Sequence, residues 1–354
     1  MPYPPNTAPS QRFRLEQWRP HLLEQGISVD LLPFVDSELM GRLYRPGGLV
    51  RKATGLARAL WRRVTELGTV RQYDVVYIHR ALCILGPAVL ERVLPLFGKP
   101  VIFDFDDAIF LRHTARANRH FGWLKFPGKT AAICRKSTHV VVGNEWLAKY
   151  ALRSNSRVTV IPSSVDTRRF QPVRKDGRTG RIVVGWTGST TSQTHLEMFA
   201  PVLARLRETH DFELRVISDR RPEIAAIPFA WRSWSAETEA DEMAHFDIGI
   251  MPMPDDPWAQ GKCALKALLS MAMGLPTACS AVGTNREVIQ HGKNGLLAAS
   301  ERDWLDQLRR LIDDPCLRHA LGAAARRTVE EGYSLEHCAG RFARVVRGVL
   351  CCGG

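Results

Sequence analysis

Two α/β domains, each built on a doubly wound parallel sheet and facing the other across a cleft, are predicted by three features of the chain. Short β-branched or apolar runs alternate with longer helical stretches, the pattern of parallel sheets. The runs form two sets, DVVYIH, PVIFDFDD, THVVVGN and RVTVIP in the first half, then RIVVGWTG, ELRVIS, DIGIMPMP and PTACS in the second. Between the sets, QPVRKDGRTG is polar and carries Pro and Gly, as a linker does. At 354 residues and 45% hydrophobic content, the chain can bury a core in each half. The expected partition is a first domain over residues 1–172, a linker over 173–180 and a second domain over 181–334. A final helix over 335–354 has no strand after it and is expected to pack back on the first domain.

The first domain should open on a buried strand, yet MPYPPNTAPSQRFRLEQWRPHLLEQGISVDLLPF reads as a loop, a helix and then a strand. A first strand is therefore expected to be missing, with an unfilled or compensated position beside DVVYIH. No run approaches the ~20 apolar residues of a membrane span. The opening residues lack the apolar centre of a secretory signal, so a cytoplasmic protein is expected. Eight cysteines without metal-ligand spacing predict reduced thiols and no metal site.

A net charge of +13 predicts a positive surface field that attracts phosphates, nucleic acid or anionic lipid. Much of the excess lies in RPGGLVRKATGLARALWRRV. There Leu49, Ala53, Leu56, Leu60 and Val64 fall on one helical face, and Arg51, Lys52, Arg58, Arg62 and Arg63 lie mostly elsewhere. The plain reading is a solvated surface helix; the functional one is a helix lying on the inner face of an anionic membrane. Without an aromatic-rich RNA motif or zinc-finger spacing, nucleic acid is not an expected partner.

Candidate chemistry sits at strand ends, where doubly wound sheets bind ligands. VIFDFDDAIFL places Asp104, Asp106 and Asp107 at the end of a strand, and His79 and Arg80 end another. Asp104 and Asp106 resemble the nucleophile strand of haloacid-dehalogenase phosphatases, but the Thr that family expects is absent. Asp107 alone reads equally well as a helix cap. VVGWTGSTTSQTHLE reads as a strand, a turn and a helix start, where Gly188 permits close backbone approach and Ser189 to Thr191 aim hydroxyls at an anion. In GKCALKALLSMAMGLPTACS, a helix opened by Gly261 would carry Lys262 and Lys266 one turn apart, which suits a diphosphate.

On these residues the chain resembles glycosyltransferase family 4, the retaining two-domain enzymes of the GT-B fold with Rossmann-like domains. The likeness runs from DIGIMPMP through Gly274-Leu275-Pro276 and Gly283 to Glu287, and on to DDPCLRHALGAAARRTVEEGYS. It reaches the first half through PYPPNTAPSQRFR, YDVVYIHR and VVVGNEWLAKYA. The resemblance implies sugar transfer from a UDP or GDP sugar to a glycan, lipid-linked or small-molecule acceptor, without metal or other cofactor. It places the donor on the second domain and the acceptor on the first. The family's paired glutamates fall on Lys262 and Ser270, and its usual Arg and Lys are replaced by Ser189 and a position near Thr194. Asp106 stands where many members have a His.

The resemblance thus nominates Asp106 and Lys262 as catalytic, with Lys262 or Lys266 supplying the missing phosphate charge. Gly188, Ser189, Lys266, Ser270, Gly283 and Glu287 complete the donor side, and His79, Arg80 and Asp107 the acceptor side. Two other readings stay open: a phosphatase using Asp104 and Asp106, and a GT-B protein that binds without transferring.

Overall fold

A computed structural model describes every residue except 44–46, 85, 112–125, 127, 174–179 and 352–354. The chain divides into two compact units, Met1–Ser163 with Leu335–Gly354, and Ser164–Ser334. The division precedes the expected linker, most of which lies outside the described residues. Residues just after it belong to the second unit because their backbone is held there. Val165 N–H donates to the Tyr333 carbonyl at 2.8 Å, and the Arg326 guanidinium reaches the Thr167 carbonyl at 2.8 Å and the Ala272 carbonyl at 2.6 Å.

The first unit holds a four-stranded parallel sheet in the order β1 (Val76–His79), β2 (Val101–Phe105), β3 (His139–Val142) and β4 (Val158–Val160). All of β2 is buried, as expected for a parallel strand covered on both faces. The Leu335–Cys351 helix belongs to this unit, where it shares a core with Trp18, Leu22, Ile102, Val141 and Ile161.

Two expectations about this unit need correction. Residues 27–33 are extended but pair with no strand among the described residues. Half-buried Ile27, Val29 and Leu31 still alternate with exposed Ser28 and Asp30, the period of a strand. Side-chain and terminal donors take the carbonyls that a neighbouring strand would otherwise satisfy. Leu32 accepts from the Met1 ammonium at 3.2 Å and from Arg63 at 3.0 Å, while Arg62 donates to Pro33 and Phe34 at 2.9 and 2.8 Å.

Those bonds also turn the C-terminal half of the basic helix, Leu49–Glu66, away from the expected orientation. Arg63 is buried and pairs with Glu66 at 2.7 Å, whereas Leu60, Trp61 and Val64 face outward. The helix can come close on its inner side because that side is small: a Cβ on Gly55 would meet Leu39 at 2.7 Å. Arg51 and Arg58 remain exposed.

The second unit carries a six-stranded parallel sheet in the order β10-β9-β8-β5-β6-β7. Its strands are β5 (Ile182–Gly188), β6 (Phe212–Ser218), β7 (Phe229–Ser233), β8 (Ile248–Met251), β9 (Thr277–Ser280) and β10 (Leu296–Ala298). The core joins Val184, Trp186, Leu214, Val216, Ile248 and Ile250 to helix residues such as Leu203 and Leu308. Strand order reverses between β8 and β5, so this sheet has a topological switch point at their carboxyl ends. No helix among the described residues is long and apolar enough to cross a membrane.

Candidate functional site

The carboxyl ends of β1 and β2 carry a charged cluster whose members are already paired. Asp104 is fully buried and accepts from Arg14 Nε at 2.9 Å and from His79 Nδ1 at 2.8 Å; Arg14 Nη1 also donates to the Ile161 carbonyl at 2.6 Å. His79 Nε2 meets Ser10 Oγ at 2.9 Å, so both ring nitrogens have partners. Burial alone would raise the Asp104 pKa, but Arg14 and the His79 hydrogen bond hold it below the usual value. A carboxylate so enclosed cannot attack a phosphate ester, which removes the phosphatase reading. His79 is likewise an interior partner of Asp104 rather than a group presented to an acceptor.

Arg80, Asp106 and Asp107 form a second group beside it. Arg80 takes a left-handed backbone, φ +59°, and its N–H donates to the Asp104 carbonyl at 2.7 Å. Its guanidinium bonds Asp106 at 2.9 and 3.1 Å and also pairs with Asp107. Against the raising effect of burial, Arg80 and then His79 push the Asp106 pKa well down. Asp106, expected to be catalytic, is thus held as a counter-ion to Arg80 at the end of the sheet.

A different arrangement lies in the second unit, where β5 ends at Gly188 on the switch-point side of the sheet. A Cβ on Gly188 would come within 2.4 Å of the Trp186 indole and 2.8 Å of Ser192 Oγ, so glycine there preserves room for the ring. Lys266 Nζ lies 4.8 Å from the centre of that ring, and Lys262 Nζ lies 5.0 Å from the Trp258 ring. Burial, then the charge of Lys262, lowers the Lys266 pKa to about 7. Burial, then Lys266 and Lys262, lowers the His195 pKa to about 4, with Asp256 opposing. Trp186 Nε1 and His195 Nδ1 are buried with no hydrogen-bond partner among the described residues. The arrangement combines mutually repelling cations with unused polar groups, and an anion would relieve both.

The local backbone differs from the expectation. Gly261 closes the four-residue Pro257–Gln260 helix, capped by Asp256 accepting from Ala259 N at 2.7 Å, and does not open the next one. The helix that carries Lys266 runs Leu265–Ala272, with Ala264 before it in the left-handed region at φ +52°. Lys262 thus precedes that helix, its N–H donating to the Ala259 carbonyl at 3.0 Å. The Thr284 hydroxyl donates to the Lys262 carbonyl at 2.6 Å, and Gly283, at φ +51°, sits where a Cβ would meet Gln260 at 3.1 Å. Gly283 therefore helps hold the turn that carries Lys262, while Glu287 is exposed on the short helix that follows.

Two nominated donor residues have other surroundings. Ser270 is buried, and a Cβ on Gly249 would meet its hydroxyl at 2.6 Å, so it packs a helix against β8. Ser189 caps the Thr190–Arg207 helix without a side-chain cap bond, and Asp219 accepts from Thr190 N at 2.6 Å and Thr190 Oγ1 at 2.9 Å. A carboxylate already occupies that helix end, which weakens it as an anion site. Trp186, His195 and Trp258 were not anticipated. A tryptophan in a strand reads as core, although the adjacent Gly188 signalled close packing.

Comparison with known proteins bears on this geometry. Residues 181–314 match the family model described as glycosyl transferases group 1. MMP alpha-(1->4)-mannosyltransferase of Mycolicibacterium hassiacum is 26% identical over 208 residues, 54% of this chain and 48% of that protein. A GDP-mannose-dependent monoacylated alpha-(1-6)-phosphatidylinositol monomannoside mannosyltransferase of Corynebacterium glutamicum is 25% identical over 64% of this chain and 67% of its own length. The match to a D-inositol 3-phosphate glycosyltransferase of Thermobispora bispora, 34% identical, covers only 25% of that relative. The matched length is thus about half or less of several curated relatives.

Among solved structures, sucrose-phosphate synthase of Thermosynechococcus elongatus superposes with a TM-score of 0.63 at 16% identity, covering 87% of this chain and 81% of that one. Anabaena HepE in complex with UDP gives 0.62 at 13% identity, covering 93% and 88%. The two-unit parallel-sheet fold is therefore that of GT-B glycosyltransferases.

Proposed function

Residues 181–314 match the glycosyl transferases group 1 model, and on that premise we propose that the protein is a metal-independent, retaining glycosyltransferase acting on a UDP or GDP sugar. The observation that carries the reading is the Lys262, Lys266 and His195 group at the switch-point end of the second sheet. Negative charge grows on the diphosphate as it leaves the sugar, and preorganised cations there stabilise the transition state more than the ground state. Lys266 has an indole face and another cation as neighbours, with no carboxylate in ion-pair range among the described residues. A phosphate oxygen would complete its surroundings.

For the acceptor, we propose a lipid-linked molecule reached from the inner membrane face. The Corynebacterium relative is named for a phosphatidylinositol monomannoside. In this chain Trp61 is 71% exposed beside outward Leu60 and Val64, with Arg51 and Arg58 also exposed on the same helix. Apolar residues with arginines nearby suit an anionic headgroup layer.

Thermal-shift measurements with UDP, GDP and ADP test the donor. A nucleotide at 100 times its dissociation constant should stabilise by about 2.7 kcal/mol, and turnover of the matching sugar nucleotide should survive EDTA. No shift with any of the three would overturn the reading. Sedimentation with anionic vesicles at low salt tests the membrane part; equal binding by the parent and by a Trp61→Ala, Arg51→Ala, Arg58→Ala variant would remove it.

A further inference from the structure

The loop after β6 carries an exposed arginine whose backbone is fixed from several sides. We propose that Arg220 grips the diphosphate of the sugar nucleotide from the β6 side, opposite Lys262 and Lys266; this rests on the donor reading above. Ser218 Oγ donates to the Arg220 carbonyl at 2.6 Å, and Nε2 of the buried Gln193 donates to the same oxygen. Trp231 Nε1 in turn donates to Ser218 Oγ at 3.1 Å, which leaves the hydroxyl proton for that carbonyl. Two side chains thus converge on one carbonyl, and a third orients one of them. The Arg220 guanidinium itself makes no hydrogen bond or ion pair among the described residues.

The strand order supplies the direction of the grip. β5 lies between β8 and β6, and its last residue, Gly188, is in register with Ser218. Lys262 and Lys266 follow β8, whereas Arg220 follows β6. A ligand over the end of β5 therefore has cations on both flanks. Neighbouring strands lie about 4.8 Å apart, so an arginine two residues past Ser218 is within reach of the space over Gly188. Asp219, the carboxylate beside it, accepts from Thr190 N at 2.6 Å and Thr190 Oγ1 at 2.9 Å. Its oxygens serve the helix end, and those bonds tie the loop to the segment that follows β5.

The residue type suits a diphosphate. A guanidinium presents paired donors in a planar fork that matches two phosphate oxygens, and it stays charged at any working pH. The lysines act from the other side as point charges. Ordering a long side chain on a ligand costs entropy, and a backbone already held in place leaves less to order. Arg221 provides the contrast within the same loop: it is also exposed, but its guanidinium lies 5.1 Å from the centre of the Phe229 ring.

The test titrates UDP, GDP and ADP into the parent and into Arg220→Ala, Arg220→Lys and Arg221→Ala variants by calorimetry, with the ligand-free Tm of each protein measured alongside. For the nucleotide that the parent binds, Arg220→Ala should lose at least about tenfold in affinity, with Arg220→Lys between the two. Arg221→Ala should match the parent, and the four Tm values should agree, because both arginines are exposed. Equal affinity in Arg220→Ala and the parent would overturn the grip alone and leave the donor reading standing. An equal loss in Arg221→Ala would assign the effect to the general field, and a fall in Tm accompanying the loss would assign it to the fold; either overturns the proposal. A parent that binds none of the three nucleotides would overturn the donor reading and the grip together.

Discussion

The two charged groups of this molecule sit at similar places, the carboxyl ends of parallel strands, but they are balanced in opposite ways. In the first unit, Arg14 meets Asp104 and Arg80 meets Asp106 and Asp107, so each of these cations has a carboxylate. In the second, Lys266 faces Trp186 and Lys262. Position at a strand end is thus a poor guide to function by itself. Charge balance is the better one: a closed set of ion pairs holds a fold together, while Lys266, set against an indole face and a second cation, has surroundings that favour an anion.

Breaking the closed set should have the largest effect. Asp104→Asn leaves the Arg14 guanidinium buried without its counter-charge, and urea unfolding should show a loss of about 3–5 kcal/mol. A variant as stable as the parent would mean that the cluster does not support the fold. The linkage agrees: a carboxylate with a depressed folded pKa contributes stability that is lost as pH falls through that value.

Removing a cation from the second group should leave stability unchanged or improved while impairing transfer. Lys262→Ala should lower kcat more than it raises the donor KM, by about 2–4 kcal/mol of activation energy, with Lys266→Ala in the same direction. Lys262→Glu should not restore activity. If Lys262→Glu matches the parent on the same donor, Lys262 has no part in phosphate stabilisation.

Gly188→Ala sharpens the contrast without changing charge. The added methyl would press on Trp186, at a cost of about 1–3 kcal/mol. Donor binding should weaken with it, as isothermal titration would show; unchanged donor affinity would separate the indole from the site.

The smallest effect is a pH dependence of donor binding. With its pKa lowered from 10.5 to about 7, Lys266 binds fewer protons folded than unfolded between those values, so its destabilising effect eases as pH rises through that window. Donor binding should run the other way. Affinity should be greatest below about pH 7 and fall above it, by at most about tenfold per unit. Lys266→Ala should flatten the profile; an unchanged profile would assign it to another group.

Much of the fold was legible because parallel strands buried on both faces are nearly continuous apolar runs, and each run quoted from the sequence contains a strand. β7 and β10 escaped: FAWRS is an edge strand with a polar end, and LLA spans three residues. The C-terminal half of the Leu49–Glu66 helix departs from its periodicity, with Leu60 and Val64 outward and Arg63 buried, since periodicity cannot foresee that Arg62 and Arg63 serve carbonyls of a segment without a strand partner among the described residues. The site was legible as a pair of lysines near a Gly turn. Trp186 and His195 were not, because their contribution is an unused hydrogen-bonding atom, which depends on tertiary packing alone.

Ala264 holds φ at +52° between Lys262 and Lys266. Each such residue costs about 1–2 kcal/mol, which the fold must absorb. In return the backbone turn between the two lysine-bearing segments is fixed in part at this residue, and on the proposed function less reorganisation would remain for the moment of bond cleavage. Glycine at that position would relieve the strain and widen the range of separations the two charges sample. The expected outcome is a more stable and slower protein, with the rate lost as entropy of alignment rather than as a missing contact.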